Sequence, residues 1–141
     1  MPEDGHFKQL YALICDLVNS GSSVHVFTHR RYMSEIKHAG AIAVDLFSRY
    51  SLEEADGESS PFPCRYVSFA AAFATNIARE LQEIHAGLVI YETFAVIGRV
   101  AAQILGLPYV NVSPGHNLDP AHYLPPQNAL TRSRFSASAL Q

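Results

Sequence analysis

The sequence predicts an α/β fold, a parallel sheet with helices on both faces, from three observations. Helical and strand-like periodicities alternate along the first 117 residues. The strand-like runs are short and apolar without polar alternation, as suits parallel strands covered on both faces. Gly87 to Asn117 reads as strand, turn, helix and strand, a βαβ unit with its near-obligatory right-handed crossover. One element is missing. The chain opens MPEDG, too short and polar to supply a first strand, and in a 3-2-1-4-5 sheet that strand lies in the middle. Its loss would leave the edges of the second and fourth strands unpaired.

The elements follow in order. Phe7, Leu10, Tyr11, Ile14, Leu17 and Val18 recur at helical spacing, and Gly21 is the expected stop. Val24 to Thr28 reads as a strand, with Val24, Val26 and Thr28 on one side and His25 and Phe27 on the other. Arg31 to His38 reads as a short helix with Met33 and Ile36 inward, and Ala41 to Phe47 as a further buried strand. Tyr50 to Arg65 is acidic, holds two prolines and reads as an exposed loop. That loop is either a solvated connection or a contributor to ligand selection. Between Val67 and His85, Ala70, Phe73, Ala74, Ile77, Ala78, Leu81 and Ile84 share one helical face. Leu88 to Tyr91 is the next strand, Glu92 and Thr93 lie in a turn, and Tyr109 to Val112 is the strand after the following helix. Past His116 the chain becomes rich in Pro, Ser and Ala and reads as an irregular tail.

Composition narrows the class. Hydrophobic residues make up 48% of the 141, as in a globular domain. Charged residues are only 16%, which suggests surface meant to be covered by another domain or chain. A net charge of −3 with scattered Lys and Arg points away from nucleic acid. No apolar run is long enough for a membrane span, the start has no signal-peptide character, and two cysteines make no disulfide framework. A cytoplasmic location is the resulting expectation.

The order of these signals resembles the N-terminal half of the two-domain glycosyltransferases that use nucleotide-activated sugars, the GT-B architecture of the macrolide, flavonoid and glucuronosyl transferase group (family 1 type). Gly5 and His6 stand where that group carries Gly-His before its first helix. GSSVHVFTHRRYMSEIKHAGAIAVDL resembles its second strand, a helix ending Ala-Gly, and its third strand. GLVIYETFAVIGRVAAQILGLPYVNVSPG resembles its fourth strand, acidic turn, Gly-Arg helix and entry to strand five. The resemblance implies a Rossmann-like acceptor-binding domain over residues 1–117, here partial and lacking its central strand, with 118–141 as a tail. The C-terminal donor-binding domain is not among these residues.

The catalytic pair the resemblance implies falls on His6 and Glu92, the latter one methylene longer than the usual aspartate. Strand order supports the pairing, since His6 would follow strand one and Glu92 strand four, neighbours about 5 Å apart. An imidazole there can accept a proton near neutral pH, and a carboxylate on its other nitrogen fixes the tautomer. Glu92 has a second reading, as a favourable charge at the start of the next helix. Gly5, Thr93, Phe94, His116 and Asn117 are the candidate acceptor-binding residues, although turn-forming roles suit His116 and Asn117 better. His25 reads as a core histidine and Arg99 as a structural cap or ion-pair partner. Histidine spacing gives no metal motif, and neither Cys15 nor Cys64 has a base at predictable range.

The function implied is the acceptor-binding portion of an inverting glycosyltransferase, moving a sugar from a nucleotide-sugar to a small-molecule hydroxyl and inactive alone. No resident cofactor is expected, the nucleotide-sugar being a co-substrate held mainly by the other domain. The partners are a small-molecule acceptor and a donor-binding domain or chain, with self-association through open sheet edges. The alternatives are a non-catalytic binding or scaffold subunit of a split glycosyltransferase, and an inactive gene remnant.

Overall fold

A computed structural model describes residues 4–51 and 62–113, with residues 4–6, 9, 62 and 63 as backbone alone. Helix α1 (Asp4–Asn19) leads to strand β1 (His25–Thr28), a 3-10 turn (Arg30–Tyr32), α2 (Met33–His38), β2 (Ile42–Asp45) and the short α3 (Leu46–Arg49). Helix α4 (Phe62–Glu83), β3 (Val89–Glu92), α5 (Val96–Leu105) and β4 (Tyr109–Val112) follow.

The strands form two separate parallel pairs, β1 with β2 and β3 with β4. His25 stands opposite Ile42 and Thr28 opposite Asp45; Val89 stands opposite Tyr109 and Glu92 opposite Val112. Among the described residues β1 and β3 each have a single neighbour. The described strands therefore do not join into one continuous sheet.

Two buried clusters hold these pairs. On one side Ile14 of α1, Tyr32, Ile36 and Ala41 pack with Phe7, Val18, Val24 and Val26. On the other, α4 gathers Leu46 and Phe27 from the first pair's side together with Val89 and Ile97 from the second. Phe69, Ala70, Ala74, Ile77, Ala78 and Leu81 are the buried stripe of α4, at the spacing the sequence shows. Ala101 and Ala102 of α5 are fully buried, and their small side chains let α4 and α5 approach closely.

Glycines fix two of these contacts. At Gly40 φ is +84°, and an added Cβ would lie 3.1 Å from Val18 Cγ1, so the turn before β2 is pressed against α1. At Gly98 an added Cβ would lie 2.9 Å from Tyr91 Cβ, a backbone-anchored atom that cannot swing aside. Gly98→Ala would gain about 1 kcal/mol of helix propensity, but the overpacking between α5 and β3 costs about 1–3 kcal/mol. The expected net result is a lower denaturation midpoint with an unchanged denaturant slope; a rise in midpoint would refute the close approach.

Several boundaries differ from the sequence expectation. α1 begins at Asp4 rather than Phe7, with an acidic residue at its positive end. The strand expected over Ala41–Phe47 stops at Asp45, whose carboxylate accepts the Ser48 N–H at 3.2 Å and turns Leu46–Arg49 into a helical turn. The loop expected to run to Arg65 ends earlier, because α4 starts at Phe62; Pro63 is tolerated in a first turn, where no helical N–H bond is lost. Burial on both faces holds poorly for β4, where Tyr109 is 39% and Val110 48% exposed. The tail expected after residue 117 lies outside the described residues. No helix among the described residues is long and apolar enough to cross a membrane.

A polar link joins the end of α3 to α4. Glu80 accepts the Tyr50 hydroxyl at 2.6 Å and pairs with Arg49 at 2.7 Å. Burial, with the hydrogen bond to Glu80 adding to it, pushes the Tyr50 phenol up to about 12. Below about pH 10 the phenol is protonated in both folded and unfolded chains, so its contribution is whole. Between pH 10 and about 12 the unfolded chain ionises first, and the contribution is lost as pH rises. Ultraviolet titration should show a late phenolate step that Tyr50→Phe removes; an unchanged titration curve would contradict it.

Candidate functional site

In each parallel pair both strands end on the same side, at Thr28 and Asp45 and at Glu92 and Val112, and Thr28 and the Phe94–Ala95 stretch after β3 line one hollow, so the two pairs share this carboxyl edge. The amino end of α1 lies on that side too. Sixteen residues of helix span about 24 Å, and the Phe7 ring stacks on Tyr32 at 4.0 Å, just past the end of β1. Gly5 and His6 therefore sit in the first turn of α1 at the carboxyl edge. They stand inside the helix rather than in a turn ahead of it.

The polar groups of this edge are used first to close turns. His29 Nδ1 accepts the Arg31 N–H at 3.2 Å and caps the 3-10 turn. Glu92 is 6% exposed, and its Oε2 accepts the Phe94 N–H at 3.1 Å. Its carbonyl accepts the Ala95 N–H at 2.8 Å. The carboxylate thus closes the turn that leads into α5.

Beside Glu92 a hollow opens at the carboxyl edge between the two strand pairs. Phe27 and Thr28 line it from β1, Phe47 from α3, Tyr66 from α4, and Phe94 and Ile97 from the β3–α5 connection. The lining is mostly aromatic and aliphatic, with Thr28 and Tyr66 as its residues bearing hydroxyls. Phe47 lies 5.7 Å from Phe69 and Tyr66 lies 6.5 Å from Phe94, centroid to centroid.

Of the residues singled out in the sequence, Phe94 lines this hollow and is 39% exposed, while buried Glu92 binds the Phe94 N–H behind it and Thr93 is exposed beside it. Gly5 and His6 are placed by their backbone alone, on the same edge; no contact of the His6 ring falls within the described residues. His116 and Asn117 lie outside them. His25 is half-buried on β1, and the Arg99 guanidinium lies 6.0 Å from the Tyr109 ring centre, a structural contact. Phe47, Tyr66 and Thr28 were not singled out. Thr28 carried a signal, a polar residue closing an apolar strand at its carboxyl end. Tyr66 fell between the loop read to Arg65 and the helix read from Val67, and Phe47 in a stretch read as strand, so neither could be placed.

No family model and no curated protein matches the sequence. Solved structures do. The chain is similar to the glycosyltransferase of kitacinnamycin, with 20% identity and a TM-score of 0.67 over 86% of this chain and 30% of that one. It is also similar to CalG4, the calicheamicin glycosyltransferase, with 24% identity and a TM-score of 0.66 over 94% of this chain and 33% of that one. The fold is that of GT-B glycosyltransferases, and the chain spans about a third of the length of the structures it matches.

Proposed function

We propose that these residues are the acceptor-binding, N-terminal portion of an inverting glycosyltransferase that moves a sugar from a nucleotide-sugar to the hydroxyl of a small molecule. The observation that carries this reading is the aromatic hollow beside buried Glu92 at the carboxyl edge, on a glycosyltransferase fold. The acceptor lies in the hollow with its hydroxyl toward His6. His6 takes the hydroxyl proton as the oxygen attacks the anomeric carbon; the C–O bond to the nucleoside diphosphate breaks, and the configuration inverts. Glu92 holds the imidazole in the right tautomer and steadies the imidazolium. Gly5, Thr93, Phe94, His116 and Asn117 border the acceptor. Positioning and base catalysis supply the rate. The nucleotide-sugar is held mainly by a donor domain beyond these residues, as the one-third coverage of the matched structures supports, and the chain alone does not turn over.

Saturation-transfer NMR on the isolated chain tests this division of labour. Hydroxylated polycyclic acceptors should receive saturation, and Phe94→Ala should weaken the effect; uridine diphosphate should receive none. Binding of the nucleotide but of no acceptor would overturn the assignment.

A further inference from the structure

One polar side chain at the carboxyl edge has no role inside the protein. Thr28 closes β1 and is 8% exposed, yet its hydroxyl makes no hydrogen bond among the described residues. Buried polar side chains nearly always find a partner. The neighbours of Thr28 are committed elsewhere. Asp45 stands opposite it in β2, but its carboxylate accepts the Ser48 N–H at 3.2 Å and its carbonyl accepts the Ser48 hydroxyl at 3.0 Å. His29, the next residue, uses Nδ1 to accept the Arg31 N–H. The Thr28 oxygen is not sealed in either. Among the described residues Arg65 Nε is the only fully buried side-chain nitrogen or oxygen without a partner. The Thr28 oxygen is therefore open, and Thr28 lines the hollow.

Packing alone does not call for threonine here. Val24 and Val26 precede Thr28 at strand spacing, on the same side of the chain, and both pack in the α1 cluster. Valine has nearly the outline of threonine and suits a strand equally well. The added hydroxyl, left unpaired in an apolar wall, costs free energy. A hydrogen bond to a bound molecule removes that cost. The rest of the lining limits what the molecule is. Phe27, Phe47, Phe69 and Phe94 surround the space with rings, which favour an aromatic guest. A hydroxyl both donates and accepts, so it serves either a hydroxyl or a carbonyl oxygen on that guest.

We propose that Thr28 determines which acceptors the hollow takes, by hydrogen-bonding an oxygen substituent on the aromatic ring of the bound molecule. Thr28 selects the acceptor and takes no part in proton transfer. This inference rests on the acceptor-site reading and adds the residue that discriminates within it.

The test titrates the full chain with p-cresol and with toluene, which differ by the hydroxyl alone, and follows the Thr28 and Phe94 amide resonances by NMR. The unsubstituted chain, Thr28→Val and Thr28→Ser are compared, each with its thermal midpoint. Thr28→Val is expected to weaken p-cresol binding about three- to tenfold, the usual contribution of one hydrogen bond. Toluene binding and the midpoint should be unchanged or raised. Thr28→Ser, which keeps the hydroxyl, should keep the preference for p-cresol. An unchanged p-cresol affinity in Thr28→Val, or a loss shared equally by toluene, would overturn the proposal. So would a lowered midpoint, which would mean that the hydroxyl bonds within the protein. If neither probe binds the unsubstituted chain, the acceptor-site reading falls as well. Discrimination by Thr28 without sugar transfer, once a donor-binding domain is joined, would overturn the transferase reading alone.

Discussion

Phe69→Ala is expected to lower the unfolding free energy by about 3–5 kcal/mol. The side chain is 2% exposed, and its ring lies 5.7 Å from Phe47 and 5.1 Å from Phe73. It sits in the cluster that gathers both strand pairs against α4. Truncation loses the buried ring area and leaves a cavity against β-sheet side chains that cannot collapse without moving a strand. Domains are stable by only about 5–15 kcal/mol, so the variant would have a substantial fraction of its stability removed. Denaturant titration measures the effect; a loss below about 1 kcal/mol would mean that α4 is not the common floor.

The largest functional effect is expected at His6. With the chain joined to a donor-binding domain, His6→Ala should reduce kcat by about 10²- to 10⁴-fold, the usual worth of a positioned general base, while acceptor KM changes little. Glu92→Gln should reduce kcat less, because an amide can still accept from the imidazole, though without the charge that steadies its protonated form. Its pH–rate profile should shift on the acidic limb. If Glu92→Gln changes only stability and leaves that profile intact, Glu92 is a turn-former and no more. If His6→Ala is silent, the base lies elsewhere.

The fold was legible because its signals are local. The Ala70-to-Leu81 stripe, the apolar β3 run and the Gly106-Leu107-Pro108 entry to β4 each state their element without reference to the rest. The site was legible only in part. Glu92 announced itself as an acid closing a strand, but that its carboxylate also binds the Phe94 N–H depends on turn geometry. Phe47 and Tyr66 reach the hollow because Asp45 caps a helical turn and α4 begins before Arg65. Both are competitions between local hydrogen bonds and strand or loop propensity, and tertiary packing decides them.

Glycosyl transfer with inversion is the centre of this account, and product stereochemistry tests it most directly. The chain, joined to the donor-binding domain of a GT-B glycosyltransferase and given an acceptor that binds its hollow, should release a glycoside whose anomeric configuration, read by NMR coupling at the anomeric proton, is opposite to that of the nucleotide-sugar. A glycoside of retained configuration, or an acceptor that binds while only free sugar is released, would contradict the roles assigned to His6 and Glu92.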